Sequence, residues 1–238
     1  MNNIIIIILA AGKGTRMQSE LPKVLHKINN KPMIEHVVDV AKNLNPEKII
    51  VVVGYKKELV IESLKENEII FVEQKNQNGT ADAIKECIPA IKNSHGDILI
   101  LSGDVPLIKT STLESFINLH NNKKALGSLI SAELPDATGY GRIIKNNNGQ
   151  LIKIIEHKDA TNQQKEINEI NSGIYIINSK VLNQKISLID NNNKQQEYYL
   201  TDIFNFIDEN DTSIYKIKNY HEISGINNIE QLENLNNS

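Results

Sequence analysis

IIIIILAAGKGTRM, residues 4–17, carries more structural information than any other stretch of the chain. From Ile4 to Ala11 it is apolar and largely β-branched without alternation, a pattern that calls for burial on both faces and marks a central strand of a parallel sheet. The run is too short to span a bilayer and lacks the basic flank and cleavage site of a signal peptide. It leads directly into two glycines. Leu9, Ala10, Ala11, Gly12, Gly14 and Thr15 therefore form a candidate anion cradle, because small residues let a backbone approach a phosphate and aim N–H groups at it. Arg16, and Lys23 in LPKVL (21–25), bracket the loop with cations able to neutralise the outer phosphates of a triphosphate. Spacing argues against two familiar loops. A dinucleotide-binding G-x-G-x-x-G needs glycine where Met17 stands, and a Walker A loop needs Gly-Lys followed directly by Ser or Thr.

Outward from this strand, the periodicity predicts a helix over Met33–Leu44, a strand over Ile49–Val53, a helix over Glu58–Lys65 and a strand over Ile69–Val72. A helix over Thr80–Ile91 and a strand over Asp97–Leu101 follow. This alternation predicts an α/β fold: a Rossmann-like, mostly parallel sheet with helices on both faces. From Gly127 the rhythm changes. Gly127–Ala132, Gly141–Lys145, Leu151–Ile155 and Ile170–Ile177 are strand-like with few helices between them, which predicts antiparallel additions in the second half. Ser179–Leu188 and Thr201–Glu209 are expected as helices, Ser213–Ile217 as a short strand and Ile229–Leu235 as a final amphipathic turn or two. With no repeat and no linker-like stretch, one domain is expected.

Composition narrows the function. The 238 residues carry 26 Lys and Arg against 29 Asp and Glu, a net charge of −3, so nucleic acid is not the expected partner. With 40% apolar residues a sizeable core can form. Cys87 is the only cysteine, which excludes an intramolecular disulfide and points to a cytoplasmic setting; it is expected to pack in the core or at its boundary. The six histidines show no H-E-x-x-H or H-x-x-E-H spacing, and no G-x-S-x-G is present, so neither a zinc site nor a hydrolase has support. In LSGDVPL (101–107), Asp104 follows a buried strand, so its carboxylate is expected at the carboxyl edge of the sheet, where open α/β folds bind ligands. A single carboxylate plus substrate phosphates is a usual way of holding Mg²⁺.

LAAGKGTRM (9–17) followed by LPKVLHKINNKPM (21–33) resembles the signature of the sugar-1-phosphate nucleotidylyltransferases. The similarity is greatest to the uridylyltransferase half of the bifunctional bacterial enzyme that makes UDP-N-acetylglucosamine. QNGTADAI (77–84), LSGDVPLI (101–108), TGYGRII (138–144), IEHKDA (155–160), EINSGIYI (169–176), QEYYLTDI (196–203) and GINNIEQL (225–232) look like that domain's later blocks, in order. The resemblance implies the nucleotide-diphospho-sugar transferase fold, with residues 1–110 as a nucleotide-binding half and 111–238 as a sugar-binding half. It implies Mg²⁺-dependent uridylyl transfer from UTP to N-acetylglucosamine 1-phosphate, with Arg16, Lys23 and Asp104 catalytic and Asp104 and Asn227 holding the metal. It also implies that Gln74, Gly79 and Thr80 read the uracil and ribose, and that Gly141, Glu156, Asn171 and Tyr199 recognise the sugar phosphate.

A side-chain amide suits a pyrimidine edge and a carboxylate suits sugar hydroxyls, which accounts for the residue types. Taken alone, Gly79-Thr80 also reads as a turn and helix N-cap, and Glu156 as the partner of Lys153 or Lys158. The sequence departs from its relatives at Ala81 and Asp82, where Gly and His are common, and at Ser102, where Tyr is frequent. GTADA also occurs in relatives that use other nucleotides, which leaves another base or sugar, or a non-catalytic sensor, as alternative readings. The bifunctional relatives continue into a hexapeptide-repeat acetyltransferase; none of that repeat is present, so acetyl transfer is not expected of this chain, and its oligomeric state is not legible.

Overall fold

A computed structural model describes residues 4–226 and 229–236. The elements in chain order are β1 (Ile4–Leu9), β2 (Lys27–Ile28), β3 (Lys31–Pro32), α1 (Met33–Asn43), β4 (Lys48–Val53), α2 (Lys57–Ser63), β5 (Ile70–Glu73), α3 (Thr80–Ile91) and β6 (Asp97–Ser102). They continue with α4 (Thr110–Lys123), β7 (Gly127–Glu133), β8 (Arg142–Lys145), β9 (Leu151–Ile155), α5 (Asn162–Lys165), β10 (Glu169–Asn178), α6 (Ser179–Lys185), β11 (Thr212–Lys216) and α7 (Ile229–Asn236). The main sheet runs β11-β7-β10-β6-β1-β4-β5, with β8 and β9 attached beside β10. β1 pairs in parallel with both β4 and β6, and β4 with β5. β10 is antiparallel to β6 and to β7, so the antiparallel additions fall in the second half, as expected.

The isoleucine run is explained by the two cores it separates. Ile4, Ile6 and Ile8 pack with Ile34, Val37, Val38, Leu113 and Phe116 on one face, whereas Ile5 and Ile7 pack with Ile84, Cys87 and Leu182 on the other. A strand buried on both sides leaves no position for a polar residue. Cys87 is fully buried, donates to the Ala83 carbonyl at 3.5 Å, and has its thiol pushed up to about 12 by burial. An alkylating reagent should therefore leave the native protein unmodified and label Cys87 only in denaturant; labelling of the native state would place the thiol elsewhere.

One expected helix takes another form, and one helix was not expected. Thr201–Glu209 is not an α-helix: residues Leu200–Phe206 form a 3₁₀ helix, Ile207 is extended, and a second 3₁₀ turn covers Glu209–Asp211. β-branched and aromatic residues favour the α-helix weakly, and burial of Leu200, Ile203 and Phe204 against the second core sets the tighter winding. The helix α4, to which the sequence reading assigned no element, rests on Leu113, Phe116 and His120. His120 continues a buried polar chain to Ser128 (2.7 Å), from there to Ser213 (2.6 Å), and on its other side to Asp97 (3.4 Å). This chain ties α4 to β6, β7 and β11 where tertiary contact, not propensity, supports the helix. A cavity of about 440 Å³ beside Asp97 and His120 opens near the first residue of β1, away from the glycine loop.

Candidate functional site

The chain steps from β1 outward to β4 and β5, then returns to β6 on the other side of β1, so the strand order reverses at β1. Open α/β sheets bind ligands outside the carboxyl ends of the strands at such a point. Leu9 and Ser102 are register partners, and the Gly103 N–H donates to the Leu9 carbonyl at 2.9 Å, so the loops after β1 and β6 leave the sheet side by side. Gln74, immediately after β5, is anchored by its N–H to the Val53 carbonyl at 2.8 Å. These ends surround a cavity of about 380 Å³ lined by Leu9, Ala10, Ala11, Gly12, Gly14, Lys23, Gln74, Gly79, Thr80 and Asp104. Thr15 is not on its wall. Gln77, Ala83, Ser102 and Glu197 are, and the sequence reading assigned none of these a role.

Within the loop, a side chain built on Gly12 would meet nothing within 4 Å, whereas Gly14 sits at φ +65° with the Lys23 stem packed against it. Among the described residues no backbone hydrogen bond uses the N–H of Gly12, Lys13 or Gly14. The turn is thus open rather than plugged. Pro22 starts the 3₁₀ turn Lys23–Leu25, which lays Lys23 over Gly14 and pairs its ammonium with the Asp104 carboxylate.

Asp104 and Ser102 also line a second, adjoining cavity of about 290 Å³, with Arg16, Thr138, Gly139, Tyr140, Ser172 and Gly225. Arg16 therefore belongs to this cavity and not to the first, and Asp104 stands where the two meet. Burial raises the Tyr140 hydroxyl, with Asp104 adding to the rise while the Gly225 backbone and Arg16 oppose it. Asn227 lies outside the described residues. Its chain neighbour Ile226 donates its N–H to the Asp104 carbonyl at 3.1 Å, which joins the tail of the chain to the loop after β6. The donor chemistry at Asp104 fits a hard cation such as Mg²⁺: an oxygen-only carboxylate, now paired with a lysine, at the border of two cavities.

Gly141, Glu156, Asn171 and Tyr199 line neither cavity; Gly141 adjoins both Asn171 and Glu156, whereas Tyr199 bonds to other residues. The Asn171 N–H donates to the Gly141 carbonyl at 2.9 Å, and the Glu156 carboxylate lies where a side chain on Gly141 would reach, 3.4 Å away. Asn171 donates its amide to the Tyr175 hydroxyl at 2.7 Å. Tyr199 donates its hydroxyl to Asp159 at 3.2 Å and accepts from Gln195 at 2.7 Å; burial pushes its pKa up to about 12. Glu156 is joined to the same strip of chain by Thr201, whose hydroxyl donates at 3.3 Å.

Burial pushes the Glu156 carboxyl above its usual value of 4.5, against the Thr201 hydrogen bond and with added repulsion from Asp202, Asp159 and Glu197. A raised carboxyl binds its proton more tightly in the folded state, so its contribution favours the fold at low pH and is lost as pH rises through the folded value. Glu156→Gln should melt a few degrees above the parent at neutral pH, and the gap should close as pH falls toward 4.5. A constant gap across that window would refute the assignment.

The segment 196–201 also closes on the 380 Å³ cavity, whose wall includes Glu197. Tyr198 accepts from the Ala81 N–H at 2.8 Å and donates its own N–H to the Asn78 carbonyl at 2.8 Å. Thr80 begins α3 but makes no side-chain cap; its hydroxyl instead accepts the Leu200 N–H at 2.9 Å.

A glycine loop, a lysine–aspartate pair and two adjoining cavities thus meet at the switch point of a Rossmann-like α/β sheet. The chain belongs to the nucleotidyl transferase family, whose model matches residues 5–222. It is 40% identical over 230 residues to the bifunctional protein GlmU of Gloeothece citriformis, covering 96% of this chain and 51% of the relative. It is 42% identical over 223 residues to that of Streptococcus gordonii, covering 93% and 48%. The chain thus spans about half the length of the curated relatives it matches. A solved UDP-glucose pyrophosphorylase in complex with UDP-glucose superposes with a TM-score of 0.75 at 19% identity, covering 98% of this chain and 97% of that one, which shows the shared fold. Among the described residues no helix is long and apolar enough to cross a membrane.

Proposed function

We propose that the chain transfers a uridylyl group from UTP to N-acetylglucosamine 1-phosphate, giving UDP-N-acetylglucosamine and pyrophosphate in the cytoplasm for cell-envelope precursors. The observation that carries this reading is the position of Asp104 at the meeting of two cavities, with the glycine loop and Lys23 on one side and Arg16 on the other. Family membership and the identity with GlmU proteins across more than nine-tenths of the chain support it. In this reading residues 1–110 hold the nucleotide and 111–238 the sugar.

The attacking group is a sugar-phosphate oxygen already ionised near neutral pH, so the protein has no base to create. It must bring anions together. Gly12 and Gly14 offer backbone N–H groups to the triphosphate, Lys23 and Arg16 neutralise the phosphates on either side of Asp104, and Gln74, Gly79 and Thr80 seat the base and ribose. Gly141 leaves room beside Glu156, which accepts from sugar hydroxyls together with Asn171 and Tyr199. Asp104, with Asn227, would hold Mg²⁺; when bound, the ion supplies charge neutralisation at the phosphates. The remaining rate comes from alignment and from excluding other acceptors.

A panel of nucleoside triphosphates against hexose 1-phosphates, read by pyrophosphate release with Mg²⁺, tests the assignment. UTP with N-acetylglucosamine 1-phosphate should give the highest kcat/KM, and a better pair would overturn it. On Glu156→Gln the KM for the sugar phosphate should rise about tenfold, as loss of a charged acceptor does.

A further inference from the structure

We infer that Asp82 is a specificity-positioning residue: by accepting from the Gln74 amide it fixes which end of that amide the cavity offers to the base. This deepens the uridylyl reading of the same cavity and rests on it.

Gln74 is 4% exposed and lies on the cavity wall. Its Nε2 donates to the Gly79 carbonyl at 3.0 Å and to Asp82 Oδ2 at 2.9 Å. Both partners are acceptors only, so the NH₂ end must face them and the amide cannot be turned end for end without setting oxygen against oxygen. The backbone of Gln74 is also engaged, its N–H by Val53 and its carbonyl by Gln77 Nε2 at 3.0 Å. What remains for a ligand is Oε1, an acceptor. Uracil presents an N3–H donor where cytosine presents a bare N3 lone pair. An amide locked with its oxygen available matches the first and repels the second.

Gly79 alone leaves one of the two N–H bonds unpaired and the amide freer to turn, so the carboxylate at 82 makes the lock two-pronged. Asp82 also lies in the first turn of α3, where any carboxylate interacts favourably with the helix. That role needs the charge, whereas the lock needs only an acceptor, and the two separate by substitution.

The test is titration calorimetry of UTP and of CTP, each with Mg²⁺, on the parent, Asp82→Ala, Asp82→Ser and Asp82→Asn, with melting temperatures alongside. The parent should bind UTP more tightly than CTP. In Asp82→Ala that ratio should fall about tenfold, chiefly through weaker UTP binding. Asp82→Ser, too short to span the contact, should behave like alanine and serves if the alanine variant fails to fold. Asp82→Asn, which retains an acceptor without the charge, should hold the ratio within about twofold of the parent. In turnover the loss should appear in the KM for UTP with kcat at saturation nearly kept.

A ratio unchanged in the alanine and serine variants, or lowered as far by asparagine as by alanine, overturns the inference and leaves the uridylyl reading in place. A parent that favours CTP or shows no preference overturns the uridylyl reading itself, and the inference with it.

Discussion

Asp104→Ala should lose about a hundredfold or more in turnover, with saturating Mg²⁺ unable to restore it. The carboxylate borders both cavities and faces Lys23, so its loss removes the one carboxylate that lines both among the described residues. The fold should survive. The Asp104 backbone, which holds Ile226 by its carbonyl, is unchanged by the substitution, and the broken ion pair is partly exposed, so stability should fall by only about 1–2 kcal/mol. Turnover at the parent level under saturating Mg²⁺ would remove Asp104 from the mechanism and, with it, the observation on which the proposed reading rests. Lys23→Met should lose turnover as well in a pyrophosphate-release assay, since the ammonium proposed to neutralise the phosphates is gone while Asp104 keeps its charge.

Gly79→Ala should damage stability and nucleotide binding together. Gly79 sits at φ +115° and ψ 174°, a region open essentially to glycine alone. A Cβ there would come within 2.5 Å of the Tyr198 carbonyl oxygen and 2.7 Å of its nitrogen, both backbone atoms that cannot swing aside. The collision must part the two chain segments that Ala81, Asn78 and Leu200 tie together by backbone and threonine hydrogen bonds. We expect the melting temperature to fall by roughly 5–10 °C and UTP binding to weaken at least tenfold. Gly12→Ala supplies the contrast, because its added methyl enters open space. It should leave the melting temperature in place and weaken only the triphosphate. An unmoved melting temperature in Gly79→Ala would mean that the 196–201 strip does not brace the cavity.

The two glycines differ in a way no motif reveals. In sequence both are small residues in resembling blocks. In the structure one faces open space and the other spares room for the protein's own backbone. Thr80 makes the same point: a threonine at a helix start reads as a cap, yet its hydroxyl accepts from Leu200, 120 residues away. Arg16 and Lys23 read as a matched pair of cations around one loop, and the fold assigns them to different cavities on either side of Asp104. Glu197 and Ser102 went unassigned for the same reason, since nothing local to either residue says that a cavity wall passes through it.

By itself the sequence determined the parallel core and the loop chemistry. Ile4–Leu9 must be buried on both faces wherever it sits, and glycines directly after such a strand must lie at its carboxyl end. These are consequences of covalent order and residue type, which short-range physics reads without knowing the rest of the chain. Only the tertiary structure decided the helix α4, the 3₁₀ winding of Leu200–Phe206, the meeting of Asp104 with two cavities, and the hold of Asp82 on Gln74. The helix and the winding depend on what packs against them, and the junction at Asp104 depends on which loops the sheet order brings together. The orientation of the Gln74 amide depends on two acceptors whose approach neither residue type announces.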